Sequence, residues 1–352
     1  MRAVHVVVPE GIDDPARPSG GNVYDVRICR GLAASGWSVG LHAVPGAWPR
    51  PDAAAHAALA GVVQRIPDGA VVLLDGLIAS TAPEVLVPQA GRLRFVALVH
   101  MPLGHGAADD GVRTREAAVL SAAASVVATS GWAARTLREL YALPAERVHV
   151  AEPGVDAADL APGTATSGAF LTVGAVIPGK GHDVLLAALG TMTALPWQCL
   201  CVGSLERDRA FAVELRRRAM DGGLGERVRF PGSRTGAELA TSYGASDLLV
   251  LTSRAETFGM VVTEALARGL PVVAADVGGV TEALGHGADG TRPGMLVPPG
   301  DPAALAAALR AWLCDAGLRR RLRRAARERR ESLSGWTATT SVLADVLAGA
   351  AR

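Results

Sequence analysis

Short apolar runs alternate with helix-forming stretches along almost the whole chain. In the first half the runs are Ala3–Val8, Val39–Val44, Val71–Leu74, Phe95–Val99 and Ser125–Thr129. In the second they are Phe170–Val173, Gln198–Val202, Val228–Phe230, Leu248–Leu251 and Val272–Ala275. Continuous apolar runs, rather than alternating ones, are the mark of strands covered on both faces. Helical stretches between them predict βαβ units and parallel sheets. So many strands exceed one comfortable open sheet, which predicts an α/β chain of two Rossmann-like domains. The break between them is expected at Ala157–Gly168, a Gly-, Pro-, Ser- and Thr-rich stretch with no period.

One stretch carries the clearest chemistry, Thr252–Gly269, reading TSRAETFGMVVTEALARG. A buried strand at Leu248–Leu251 leads into a loop with Ser253, Arg254 and Glu256. A helix is expected over Phe258–Arg268, closed by Gly269, with Pro271 opening the next strand. The backbone N–H groups at Phe258, Gly259 and Met260 would then be free, and a helix N-terminus attracts phosphate. Glu256 and Glu264 flank that anion site. Two carboxylates around a phosphate suit a ligand with hydroxyls on both sides of a diphosphate, which is a nucleotide sugar.

The run ETFGMVVTE followed by ALARGLPVVA resembles the E-x7-E element of family 4, the retaining glycosyltransferases of the GT-B fold. The resemblance covers residues 168–350 strongly and the first half more loosely. It implies that Glu256 holds the donor sugar and Glu264 the ribose. It also implies two Rossmann-like domains facing across a cleft: an acceptor-side domain at 1–160 and a donor domain at 168–334. A last helix at 335–352 would cross back to the first domain.

Further segments fit the same resemblance. Ser19-Gly20-Gly21-Asn22 opens a helix expected over Val23–Ala34, and its glycines allow close backbone approach. The resemblance places Gly20 and Gly21 beside the donor diphosphate. His100 ends an apolar run, where parallel strands meet the ligand crevice. Relatives carry a histidine there close to the donor sugar, and His105 is the second choice. Thr129–Trp132 and Pro153–Asp156 match segments that face the cleft, or else cap a helix and form a turn. Val173–Gly181 resembles a phosphate clamp, with Lys180 reaching the diphosphate in place of a metal. Many relatives place an arginine where this chain has Ala175, so either Lys180 acts without that partner or a nearby arginine such as Arg234 or Arg254 substitutes. The loop Phe230–Arg234 would lie against the nucleotide base. Gly285-His286-Gly287-Ala288-Asp289-Gly290 matches G-x-G-x-x-G, but it follows a helical stretch and precedes Arg292-Pro293, so it is not a dinucleotide fingerprint.

Composition narrows the partners. Hydrophobic residues make up 49% and charged residues 20%, so a large core is expected rather than disorder. A net charge of +1 gives no electrostatic case for nucleic acid. No apolar run approaches the roughly 20 residues of a spanning helix. The Arg-rich run RRRLRRAARERR is read as a solvated helix, with anionic lipid contact the less favoured reading. Cys29, Cys199, Cys201 and Cys314 lack zinc spacing and read as reduced thiols of a cytoplasmic protein. No D-x-D and no metal-ligand spacing occur, so neither a metal nor a cofactor is expected. The expected function is a metal-independent hexosyltransferase acting on a nucleotide diphosphate sugar and a small-molecule acceptor hydroxyl. The alternatives are an epimerase or phosphorylase on the same fold, or a binding module without turnover. Val8–Gly20 and His100–Arg113 are expected to shape the acceptor pocket.

Overall fold

The computed structural model describes residues 2–14, 18–106 and 109–351. They divide into two compact units, one built on residues 2–14, 20–154 and 334–351, the other on 18–19 and 155–333. The expected acceptor-pocket segments include 15–17 and 107–108, which lie outside the described residues.

Unit 1 runs β1 (Ala3–Pro9), α1 (Gly20–Ala34), β2 (Ser38–Val44), α2 (Ala53–Gln64), β3 (Val71–Asp75), α3 (Gly76–Ala79) and α4 (Pro83–Leu86). It continues with β4 (Arg94–Val99), α5 (Asp110–Ala122), β5 (Ser125–Ala128), α6 (Gly131–Tyr141) and β6 (Val148–Val150). Unit 2 runs β7 (Ala169–Val173), α7 (His182–Gly190), β8 (Gln198–Val202), α8 (Arg209–Asp221), β9 (Val228–Gly232), α9 (Gly236–Gly244) and β10 (Leu248–Leu251). Its remainder is α10 (Met260–Leu266), β11 (Val272–Ala275), α11 (Val280–Leu284), β12 (Gly294–Val297), α12 (Pro302–Cys314) and α13 (Ala316–Arg330). The chain ends in α14 (Trp336–Ala350), which belongs to unit 1.

Each unit holds one six-stranded parallel sheet. The orders are β2-β1-β3-β4-β5-β6 and β12-β11-β10-β7-β8-β9. The second is the doubly wound order 3-2-1-4-5-6, and its direction reverses between β7 and β10. Loops leaving those two strands diverge to opposite faces and open a crevice at their carboxyl ends. In unit 1 the corresponding point lies between β1 and β3.

The apolar runs are buried on both sheet faces, as parallel packing requires. In unit 2 Phe170, Leu185, Cys199, Leu248 and Trp312 fill one face, and Leu171, Leu249, Val262, Val272 and Leu284 the other. Fully buried Asp247 anchors the amino ends of β7 and β10, accepting from the amides of Thr164 (2.7 Å) and Ala169 (3.0 Å) and pairing with Arg323. In unit 1, Leu343 and Leu347 of α14 pack with Val4, Val6, Ile28 and Leu32. Glycine is required where α14 docks: a Cβ at Gly154 would lie 2.3 Å from the Trp336 nitrogen.

Four elements differ from the sequence reading. The helix expected at Phe258 begins at Met260 and spans seven residues. Phe258 is 6% exposed and belongs to the core, and Gly259 enters the helix at φ +93°. The first helix begins at Gly20 rather than Val23, so both glycines lie in its first turn. β6 and β12 are strands that no apolar run announced; they are short edge strands at the ends of their sheets, open on one side.

Candidate active site

Unit 2 assembles its site at the switch point. Gly174 leaves β7 at φ +157°, and Gly203 leaves β8 so closely that a Cβ there would lie 1.8 Å from the Gly174 oxygen. A single helical turn, Pro178–Lys180, follows and ends at Gly181 with φ +67°. A Cβ at Gly181 would lie 2.0 Å from the Thr252 oxygen, so only glycine lets the two loops touch. Five bonds then tie this turn and the start of α7 to the loop after β10. The Thr252 hydroxyl donates to the Lys180 carbonyl at 3.0 Å. The Arg254 amide donates to the Gly179 carbonyl at 2.9 Å. The Arg254 guanidinium grips Asp183 with two bonds, 2.6 and 3.0 Å, and also reaches the Pro178 carbonyl.

This framework brings Lys180 and Glu256 into a direct ion pair, with side chains 30% and 12% exposed. The Ser253 hydroxyl donates to the same Glu256 oxygen at 2.7 Å. The sequence reading gave both charged residues to a ligand; in the structure they pair with each other. Glu264 lies on α10, where the buried Tyr243 hydroxyl of α9 donates to its Oε2 at 2.7 Å. Arg268 stacks over the Tyr243 ring at 4.6 Å and donates to the Glu264 carbonyl. Burial pushes the Glu264 carboxyl above its usual range, while the Tyr243 bond and Arg268 pull it back. Ser253 was read only as a loop residue, and Tyr243 was not singled out from sequence. The signal for Tyr243 was only an aromatic ahead of an apolar run.

The two arginines expected to stand in for Ala175 have other partners. Arg254 is committed to Asp183, which it holds below the usual carboxylate range. Arg234 donates to Ser242 at 2.9 Å. Among the described residues neither pairs with Glu256. Met260 is half-buried at the start of α10.

In unit 1, His100 follows β4 and meets two buried acids. Its Nε2 lies 2.8 Å from Asp25 Oδ1 and 3.5 Å from Asp75 Oδ2. Asp75 ends β3, where its other oxygen accepts from the Leu77 amide at 2.7 Å. A Cβ at Gly21 would lie 3.2 Å from the His100 ring, so the glycine of α1 sets that distance. Sequence reasoning missed Asp25 and Asp75. Asp75 carried a signal: it is a charge at the end of an otherwise apolar strand. His105 stands apart, edge-on to Trp132 with ring centroids 5.1 Å apart. Ser130 caps α6, accepting from the Ala133 amide at 3.0 Å. Glu116 fastens the segment after His100, accepting from Ser80 at 2.6 Å and from the amides of Leu103 and Gly104 at 3.0 and 2.7 Å.

Residues 164–329 match the profile of a family described as Glycosyl transferases group 1. This segment is a member of that family. It contains Lys180, Arg234, Glu256 and Glu264, whereas His100 lies outside it. The D-inositol 3-phosphate glycosyltransferase of Jonesia denitrificans is 34% identical over 250 residues, covering 65% of this chain and 58% of that protein. A relative of the same description from Catenulispora acidiphila is 35% identical over 263 residues, 69% of this chain and 61% of its own. The matches thus span about three-fifths of the length of these curated relatives. Among solved structures, sucrose-phosphate synthase from Thermosynechococcus elongatus superposes with a TM-score of 0.79 at 23% identity, over 99% of each chain. Anabaena HepE in complex with UDP-glucose gives 0.78 at 20%, over 99% of this chain and all of the other. At these identities the likeness is one of fold, the GT-B class expected from the sequence. Among the described residues no helix is long and apolar enough to cross a membrane.

Proposed function

We propose that the protein is a retaining, metal-independent glycosyltransferase, working in the cytoplasm, that moves a sugar from a nucleoside diphosphate to an acceptor hydroxyl. One observation carries the reading: at the switch point of unit 2, a lysine and a serine converge on one glutamate, eight residues before a second glutamate held on α10. In this reading Lys180 turns from Glu256 to the donor diphosphate and stabilises the leaving group, the part a metal plays elsewhere. Glu256 then takes hydroxyls of the sugar and Glu264 the ribose. Tyr243 leaves one oxygen of Glu264 for that contact. His100 of unit 1 supplies a hydrogen-bond donor for the sugar. The acceptor attacks on the face the diphosphate leaves, and a phosphate oxygen takes the proton, so no protein nucleophile is required.

UDP-glucose, bound in the HepE structure, is the first donor to try, and inositol phosphates, suggested by the relatives' names, are the first acceptors. The test is transfer from UDP-, GDP- and ADP-sugars in EDTA, with the product's anomer read by NMR. The reading expects transfer at full rate with retained configuration. An inverted product, or activity that EDTA abolishes and added metal restores, would overturn it.

A further inference from the structure

The three polar side chains around His100 raise a question that the sugar-binding role does not answer. Asp25 and Asp75 are 3% and 4% exposed, and carboxylates that deep are costly without a positive partner. Two elements face the ring. From α1 come Asp25 and the edge of Tyr24, with ring centroids 5.2 Å apart; from β3 comes Asp75. Tyr24 is a neutral neighbour, since burial pushes its hydroxyl up and the Ala151 carbonyl accepts its proton at 2.9 Å. Trp336 of α14 packs on the far side of Tyr24. No lysine or arginine pairs with either acid among the described residues. The imidazole is therefore the counter-charge available to them. Polar atoms of Asp25, Asp75 and His100 lie within 4.8 Å of one another. One oxygen of Asp25 is buried with no partner among the described residues.

We propose that Asp25 and Asp75 are positioning residues that lock His100 as an imidazolium, making it a fixed hydrogen-bond donor through Nδ1 toward the bound sugar and never a base. Both acids converge on Nε2, so the ring cannot turn over without breaking both contacts. Nδ1 is left as the ring's second N–H. His100 is 17% exposed while the acids behind it are sealed, so the ring is the part of the cluster a ligand can touch. Burial by itself opposes a charged ring, but Asp25 and then Asp75 outweigh it and hold His100 up at about 9. Burial, and next the charge of Asp25, push Asp75 up to about 7. The ligand in this inference rests on the glycosyltransferase reading, whereas the protonation state does not.

The experiment is ring titration by long-range proton–nitrogen NMR on the full-length protein labelled at histidine, in EDTA, with His100 assigned from His100→Gln. Wild type should keep both ring nitrogens protonated up to about pH 8. Asp25→Asn should lower the midpoint by more than about one unit. Asp75→Asn, whose amide oxygen can still accept from Leu77, should lower it by less and serves if Asp25→Asn fails to fold. In transfer assays, Asp25→Asn should regain kcat/KM as pH falls below the new midpoint, which a purely structural defect would not do. A neutral His100 ring at about pH 7.5 in wild type, or a midpoint unmoved in both variants, would overturn the inference. So would micromolar Zn2+ binding that Asp75→Asn abolishes. If no donor is ever turned over, the titration still decides the inference while the functional reading fails alone.

Discussion

Glu256→Gln separates two effects that the Lys180–Glu256 pair combines. The substitution removes one charge and keeps an oxygen for the Ser253 hydroxyl. With side chains 30% and 12% exposed, the pair lies between an exposed contact and a buried one. Its worth is about 1 kcal/mol, the top of the range for exposed pairs. A nucleoside diphosphate must break that pair to reach Lys180, and it also meets the negative charge of Glu256. Freeing the lysine should therefore tighten UDP binding about fivefold, at about 1.4 kcal/mol per tenfold. Turnover should move the opposite way, because a charged hydrogen bond to the sugar is lost. A contact of about 1.5–3 kcal/mol made in the transition state corresponds to a fall of about 10- to 150-fold. The assay pairs calorimetric titration of UDP with transfer rates, both in EDTA, at low and high salt. Higher salt should shrink the affinity gain, since part of it is the removed repulsion. Weaker UDP binding by a Glu256→Gln protein with an unchanged circular dichroism spectrum would refute the reasoning. So would an unchanged rate.

Three other substitutions probe the supports. Gly181→Ala places a side chain at φ +67° and 2.0 Å from the Thr252 oxygen. It should cost at least about 2 kcal/mol in urea unfolding and weaken nucleotide binding with it. Tyr243→Phe keeps the ring under Arg268 but strips Glu264 of its donor. Because that bond favours the charged carboxylate, its loss should raise the pH below which nucleotide affinity fades, which binding measured against pH will show. His182 is buried with both ring nitrogens unpartnered, and burial, then Lys180, lower it to about 4. In the unfolded chain it binds a proton near pH 6.5, so the folded state loses stability as pH falls from there toward 4, by roughly 3 kcal/mol in all. His182→Leu should flatten that stretch of the stability–pH curve and leave the protein at least as stable at pH 7; an unchanged curve would assign the acid sensitivity elsewhere.

What could be read from the residues follows from where the information is local. Both-face burial is written into each run, so Leu248–Leu251 or Val272–Ala275 announces itself as a strand of a parallel sheet. Edge strands such as Val148–Val150 need less apolar sequence and passed unnoticed. The helix after Glu256 was drawn too long at its start because Phe258 reads as a helix residue, whereas its ring is wanted in the core and Gly259 makes the turn. Glu256, Glu264, Lys180 and His100 stood out through a motif or a strand end. Their partners did not. Asp25 meets His100 across 75 positions and Lys180 meets Glu256 across 76, distances closed by sheet order rather than by spacing. A sequence shows charges, and only the fold shows which of them already have a counter-charge.

The central claim is that unit 2 grips a nucleoside diphosphate through Lys180 without a metal. Calorimetric titration of UDP-, GDP- and ADP-sugars into wild-type and Lys180→Met protein, in EDTA, measures it directly. The account predicts that wild type binds one of the three and that Lys180→Met binds the same ligand at least about tenfold more weakly. Equal affinity in the two proteins, or binding that appears only after a divalent ion is added, would contradict it.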